Sequence, residues 1–457
     1  MCGINVAIGN PRRVIEMNKK LSRRGIRSKY EIYEHIGIGA IRLPIQGLDV
    51  EYDSPFHLKN EHDIVLFNGE IYNFKEINET FKSDIDVFNL DIGPEFYDGD
   101  FAYIIFNDRD LSMRIVTDRF GKKQLYYKIE NGKITGISSE VKGLISKNDK
   151  INMKYISTVA RFGYVFDSDE TIVKNIKRFY PGKEYIINSS GIIDKINDIP
   201  WDSSKLIPSN INKSNLSSLI NLSVKRRLIS DIPVAIVFSG GLDSSIVLYH
   251  SLIINKNIKV FTIFNKGDYK YAKRYADKMN VKIEKINFST DKIMISEAHL
   301  YNESAIDLGS VIPKFLLFNS IKNKKFNVVI GGTGADEIFG GYGRMFSFDY
   351  QQNDIFNELI YYHLPRVEKM SMANTIEYRT PFTADYIIDF GLQLPYKERI
   401  NKKYLRDSYR DILPDYIVNR KKEALKTNSI RKDEKKERMK LIKLWMNKLF
   451  EDLKNVR

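Results

Sequence analysis

The run IPVAIVF, Ile232 to Phe238, is followed without a gap by SGGLDSS, Ser239 to Ser245. A continuous apolar run suits a strand buried on both faces, as in a parallel sheet. The apolar-periodic SIVLYHSLII that comes next reads as a helix. Further strand candidates stand at Lys259 to Phe264 and Asn327 to Ile330, with a helical pattern at Tyr269 to Met279. This alternation predicts a parallel α/β sheet wound by right-handed crossovers. A Gly-Gly loop between strand and helix directs several backbone N–H groups and the helix N-terminus at one spot, which makes a phosphate cradle. Ser239, Gly240, Gly241, Ser244 and Ser245 form it, and Asp243 is available for Mg²⁺. The loop lacks GK[ST] and so is not a Walker A loop.

A chain of 457 residues is long enough for two domains. Between about Asn188 and Lys213 it turns polar, with Ser189-Ser190-Gly191, Pro200 and Pro208 as breakers. The expected organisation is a first domain over 1–190, a linker over 191–213 and a second domain over 214–457. Apolar residues make up 43%, which excludes wholesale disorder. The balance of 72 Lys+Arg against 58 Asp+Glu leaves +14, an excess that small phosphates satisfy as well as nucleic acid does. No apolar run approaches the roughly 20 residues of a membrane span. The opening MCGINVAIGN lacks a secretory layout, so a cytoplasmic location is expected.

The single cysteine is residue 2. Removal of Met1 would give Cys2 a free α-amine, whose pKa near 8 lets it act as the base for its own thiol. Ile4, Val6 and Ile8 alternate like a strand, which ties this terminus into a sheet. Asn68-Gly69 follows the strand-like DIVLF; it reads either as a hairpin turn or as an oxyanion hole built from an amide and a backbone N–H. KSDIDVF, Lys82 to Phe88, also reads as strand-like. Arg42 could grip a carboxylate, and Glu70 and Asp84 an ammonium, although each alone reads equally as a solvated charge. Together these residues suit an α-amino acid with a cleavable amide.

Several segments carry a resemblance: Met1-Cys2-Gly3-Ile4, Arg42-Leu43, Asn68 to Asn73, Ser83 to Asp86, Asp118-Arg119-Phe120-Gly121 and Ser139 to Lys142. They resemble the class II glutamine amidotransferase domain of asparagine synthetases. The resemblance implies a four-layer α+β N-terminal-nucleophile hydrolase fold in which Cys2 attacks glutamine, Asn68 and Gly69 stabilise the oxyanion, and Arg42, Glu70 and Asp84 hold the substrate. The second half is similar to the same enzymes through Val224 to Leu228, SGGLDSS, Gly334 to Tyr342, Lys369 to Ala373, Ile376 to Phe382, Tyr404-Leu405-Arg406 and Arg420 to Glu423. That likeness implies an ATP-pyrophosphatase domain releasing AMP and pyrophosphate. In it Asp243 and Asp336 hold Mg²⁺, Lys369 and Lys422 neutralise phosphate, and Phe238, Ile263, Gly331 and Gly332 contact adenosine. The implied partners are glutamine, ATP and a carboxylate acceptor, with a homodimer left open and no nucleic acid.

This sequence departs from the family pattern at several places. The RGPD loop reads Arg24-Gly25-Ile26-Arg27, and Gln124 replaces a proline. Near the acceptor, Thr333 stands for the family's catalytic Glu, Ile312 for a Thr and Gly309 for an aspartate-binding Arg. A missing Arg removes a bidentate carboxylate partner, a loss of about 1.5–3 kcal/mol. Glu303 lies upstream as a possible substitute for the lost Glu. The acceptor is aspartate by family default; the departures favour another carboxylate, such as a sugar uronate or a peptide carboxylate. A catalytically silent regulatory homologue is the remaining alternative. The segment from Arg431 to Arg457 is expected to form an amphipathic helix.

Overall fold

The computed structural model describes residues 2–60, 62–162, 165, 167–263, 266–286, 292–303, 308–343, 357–420 and 451. Twelve strands precede residue 200: β1 (Cys2–Ile8), β2 (Arg27–Tyr33), β3 (Ile36–Arg42), β4 (Phe56–His57), β5 (Asp63–Ile71), β6 (Gly99–Asn107), β7 (Met113–Thr117), β8 (Tyr126–Glu130), β9 (Lys133–Ser138), β10 (Ile176–Arg178), β11 (Lys183–Ile187) and β12 (Ile193–Asp198). They form two six-stranded sheets, in the orders β10-β8-β9-β1-β3-β2 and β12-β11-β7-β6-β5-β4. Period-2 alternation sends Ile4, Val6, Ile36 and Ile38 of the first sheet against Ile64, Leu66, Ile104 and Ile115 of the second. The outer face of the first sheet is covered by the helices Arg13–Lys20 and Met153–Phe162. Short helical turns, Phe74–Ile77 and Asp84–Asn89 among them, cover the outer face of the second. This is the expected four-layer α+β arrangement, with one outer layer reduced to turns.

Two local expectations are corrected. KSDIDVF is no strand, because Ser83 and Asp86 form a reciprocal capping box that winds Asp84–Asn89 into a 3₁₀ turn. β12 falls inside the stretch read as linker but pairs with β11 over Lys183↔Asp198 to Ile187↔Ile193. As a largely exposed edge strand it has no apolar face to mark it in sequence.

The second half holds β13 (Val234–Val237), β14 (Lys259–Ile263), β15 (Ile283–Ile286), β16 (Val328–Ile330) and β17 (Glu377–Arg379). All pairings are parallel, in the order β15-β14-β13-β16-β17. Ala235, Phe261 and Val329 pack on one face and Ile236, Val260 and Ile330 on the other, as a sheet covered by helices on both sides requires. No helix among the described residues is long and apolar enough to cross a membrane.

The halves meet across a seam of buried charge. Asp98 accepts from Arg226 at 2.8 Å, Arg227 at 3.1 Å and the Tyr386 hydroxyl at 3.1 Å. Burial would raise its pKa, yet Arg227 and Arg226 outweigh that and hold it well below the usual carboxylate range. Arg24 bridges Glu140 at 2.8 Å to Glu368 across the same seam. Removing one member of such a set strands the others in a dry interior. Asp98→Asn is expected to cost about 3–5 kcal/mol, read in urea denaturation of the full chain. An unmoved midpoint would contradict this account of the seam.

Candidate functional site

The first candidate site forms where β1, β3 and β5 converge. Cys2 opens β1 opposite Arg42, the last residue of β3. The Cys2 backbone N–H donates to Asn68 Oδ1 at 3.1 Å. Asn68 is fully buried in β5, and its Nδ2 has no hydrogen-bond partner among the described residues. A buried amide donor left unpaired costs about 1–3 kcal/mol unless a ligand takes it. Gly69 follows at φ +149°, and a Cβ there would stand 2.1 Å from the Asp100 carbonyl oxygen. Asn68-Gly69 is therefore part of a strand rather than a turn, and only glycine fits.

Arg42 donates to Asp53 at 2.8 Å and to the carbonyls of Gln46 and Gly47 at 2.7 Å. Asp84 accepts from the Ile71 N–H at 3.0 Å; burial pushes its pKa up to about 6 despite that bond and Arg42. Glu70 accepts from Gln46 Nε2 and from Arg379 at 3.3 Å. Burial, Glu377 and Asp84 push Glu70 up to about 8. Burial also raises the Cys2 thiol pKa, with the chain's N-terminal amine and Arg42 pulling the other way. Cys2, Arg42, Gly69, Glu70 and Asp84 line one cavity of about 10 Å³, the space of a single water, so an amino acid enters only as a wall moves.

The second candidate site is a cavity of about 440 Å³ at the C-terminal ends of β13 and β16. Strand order reverses at β13, and open α/β sheets bind ligands at such a switch point. Ser239, Gly241, Asp243, Ser244, Gly332 and Asp336 line it. The helix Leu242–Ile254 begins directly at the loop. Ser244 Oγ accepts from the Ser239 N–H at 3.2 Å and donates to the Gly241 carbonyl at 3.1 Å, which fixes the loop's curvature. Gly240 has φ +73°, and a Cβ there would meet the Ala272 nitrogen at 2.5 Å.

Between the two expected metal ligands lies Lys402. Its Nζ is 2.6 Å from both Asp243 oxygens and 2.7 Å from Asp336 Oδ1. Burial lowers its pKa, but the two carboxylates outweigh burial and hold it above the usual lysine range. The sequence reading missed Lys402, although it stands two residues before the quoted Tyr404-Leu405-Arg406 segment. It also missed Tyr378, whose hydroxyl is 3.0 Å from Thr333 Oγ1 at the cavity wall. Ser310 and Lys314, one helical turn apart on Leu308–Lys322, line the cavity as well, while Ile312 is buried in the core.

Other expected residues stand apart. Phe238 packs in the core against Tyr275 at 5.9 Å, and Ser245 is buried behind the loop. Ile263 and Gly331 do not line the cavity, and the Tyr378 hydroxyl occupies the space beside Gly331. Lys369 lines a separate cavity of about 80 Å³ between the halves, with Gln124, Tyr126 and Glu303. There its ammonium is 3.4 Å from Glu303, whose carboxylate also accepts from the Val141 and Lys142 N–H groups at 3.0 and 2.8 Å. Burial would raise the Glu303 pKa, but Lys142 and Lys369 lower it, so it sits ionised and occupied, away from the larger cavity. Lys422 and the expected C-terminal helix lie outside the described residues, apart from Glu451.

Comparison with known proteins gives two family matches. A glutamine amidotransferase domain model matches residues 1–196, and the asparagine synthase model matches 215–360 and 349–456. The chain is 26% identical over 483 residues to glutamine-hydrolyzing asparagine synthetase 2 of Oryza sativa subsp. japonica, covering 93% of this chain and 76% of the relative. It is 27% identical over 480 residues to asparagine synthetase 3 of Arabidopsis thaliana, covering 93% and 78%. Against asparagine synthetase 1 of Bacillus subtilis (strain 168) it is 26% identical over 449 residues, covering 88% and 68%.

The Lys402 geometry predicts its own test. Lys402→Met leaves Asp243 and Asp336 without the cation they share, a loss of about 2–3 kcal/mol. Added Mg²⁺ should restore thermal stability in the variant more than it raises that of the wild type.

Proposed function

The chain belongs to the asparagine synthase family, and from that premise we propose a glutamine-dependent, ATP-consuming ligase with two separate reaction sites. The observation that carries the first step is Asn68, which accepts the Cys2 N–H while its own Nδ2 donor lies buried and unpaired. With Met1 removed, the Cys2 amine takes the thiol proton and Sγ attacks the glutamine side-chain amide. The developing oxyanion receives Asn68 Nδ2 and the Gly69 N–H. Ammonia leaves with the proton, and water then cleaves the thioester to give glutamate. Asp84 and Glu70 balance the substrate's α-ammonium, and Arg42 its α-carboxylate.

At the larger cavity an acceptor carboxylate attacks the α-phosphorus of ATP. Pyrophosphate departs, and ammonia then displaces AMP from the acyl-adenylate. Asp243 and Asp336 fit Mg²⁺ as hard oxygen donors that already converge on one cation. Bound there, Mg²⁺ supplies neutralising charge to the phosphates. Lys402 supplies a cation beside the same two carboxylates, and the Gly240-Gly241 backbone and the Ser239 and Ser244 hydroxyls would cradle the pyrophosphate.

A carboxylate other than aspartate is favoured as acceptor by one contact. Where the family pattern has Glu, Thr333 and Tyr378 close the wall as a neutral hydroxyl pair. Burial raises the Tyr378 pKa, so its hydroxyl orients by hydrogen bonding and does not take a proton at neutral pH.

Cys2→Ala should abolish glutamate release while ammonium salts still support pyrophosphate release. Asn68→Ala should lower glutaminase kcat by about 10²–10³-fold. Retained hydrolysis in Cys2→Ala, or ADP and phosphate as products, would refute this chemistry. In an acceptor screen by pyrophosphate release, a uronate or peptide carboxylate should exceed aspartate in kcat/KM; efficient aspartate turnover would refute the acceptor reading.

A further inference from the structure

β17 stands between the two candidate sites and presents one face to each. Tyr378 reaches Thr333 at the larger cavity. Its neighbours Glu377 and Arg379 are fully buried on the other side, as strand alternation requires. Arg379 belongs to the second half of the chain, yet its Nη2 donates to Glu70 Oε2 at 3.3 Å in the first. Its Nε donates to Glu377, and its Nη1 to the carbonyls of Arg227 at 2.8 Å and Ile229 at 2.6 Å. The guanidinium also stands over the Tyr72 ring, 5.2 Å from its centroid. Every edge of this fork is therefore fixed before any substrate arrives.

Glu70 needs that fork. From the 3₁₀ turn it faces Asp84 and from β17 Glu377 and Arg379, and the positive N-terminal amine also acts on it. Arg42 closes the same cavity from β3, and Gln46 donates to Glu70 from the following loop. Three buried carboxylates thus crowd together, and a buried carboxylate lacking a nearby cation stays protonated. A protonated Glu70 offers no charge to an ammonium. Arg42 donates to Asp53 and to loop carbonyls, whereas Arg379 donates to Glu70 itself.

We propose that Arg379 is a positioning residue of the first site, contributed by the other half of the chain, which holds the Glu70 carboxylate for the α-ammonium of glutamine. The proposal rests on the reading of the Cys2 cavity as a glutaminase site. It makes that site a composite of both halves, so glutamine capture depends on β17 being in place.

The test measures glutamine hydrolysis by the full chain from pH 6 to 8.5, with KM and kcat separated, in wild type, Arg379→Met, Arg379→Lys and Glu377→Gln. In the wild type, KM should fall as pH rises toward 8 and Glu70 ionises. A second limb near 6, set by Asp84, should stay in place in the two Arg379 variants and move to lower pH in Glu377→Gln, because Glu377 also raises Asp84. Arg379→Met should move the upper limb to higher pH and raise KM about tenfold per unit of movement at pH 7, with kcat little changed. Arg379→Lys should recover part of the loss, since a point charge replaces the fork. Glu377→Gln removes a repelling charge and should move the limb the opposite way. Opposed shifts are not produced by general damage to the fold, and ammonium-supported pyrophosphate release should persist as the fold control. An unmoved KM and pH profile in Arg379→Met overturns the proposal alone. So does equal loss of kcat and of ammonium-supported synthesis. A wild type that does not hydrolyse glutamine overturns the glutaminase reading and the proposal with it.

Discussion

Everything in this molecule depends on a buried seam of paired charge between an antiparallel double sheet and a parallel one. Asp98 with Arg226 and Arg227, Arg24 with Glu140 and Glu368, and Glu70 with Arg379 and Glu377 all cross or border it. Such pairs gain little net stability over apolar contacts, because desolvation offsets most of their attraction. What they do provide is intolerance of misplacement, since each group left alone in the interior costs several kcal/mol. An apolar patch of Leu43, Ile45, Val328 and Met372 spans the same boundary and would tolerate sliding far better. Charge therefore sets the register of the halves, and the first site inherits that register through Glu70.

The two sites store their readiness differently. At Cys2 the strain is a missing partner: Asn68 Nδ2 is kept buried without a bond, on a strand whose next residue can only be glycine. At the Gly240-Gly241 loop the readiness is a cation in place, with Lys402 holding Asp243 and Asp336 together from a left-handed backbone at φ 57°. Asn401 beside it sits at φ 55°. Non-glycine residues in that region are strained by about 1–3 kcal/mol each, and the three-way ion pair offsets that strain. On the proposed reading both devices await a ligand: an oxyanion at the first, and divalent charge with phosphate at the second.

How much of this was legible in the sequence follows the distance over which each feature is encoded. The strand, loop and helix around SGGLDSS were readable because one continuous segment builds all three. The placement of Cys2 in a sheet was readable because Ile4, Val6 and Ile8 alternate. Lys369 and Lys402 were not distinguishable, since one opens and the other closely precedes a recognisable segment and only tertiary packing decides which cavity each enters. Lys369 lies on Leu364–Met372 and is drawn to Glu303, while Lys402 is turned by two left-handed residues onto Asp243. KSDIDVF misled for a local reason: Ser83 and Asp86 satisfy each other's backbone three residues apart, which overrides its apolar alternation.

The acceptor side shows how one substitution rearranges the logic of a wall. Thr333 is too short to reach across the cavity as a glutamate would, and Tyr378 extends from β17 to meet it. Their shared hydrogen bond fixes both hydroxyls and burial keeps the Tyr378 phenol neutral, so this wall gains shape and loses charge. The opposite helix supplies Ser310 and Lys314 at i and i+4, putting a hydroxyl and a cation on one face while Ile312 turns into the core. On the proposed reading, a carboxylate at this wall faces Lys314, one turn beyond Ser310, together with Arg366 and Arg420, and no arginine at position 309. A lysine is a point charge on a flexible stem and lacks the planar fork that reads a carboxylate bidentately. On that reading the wall attracts an anion without a bidentate fork at position 309 to fix its carboxylate, which is the physical reason the proposed acceptor is carried on a larger and differently shaped body.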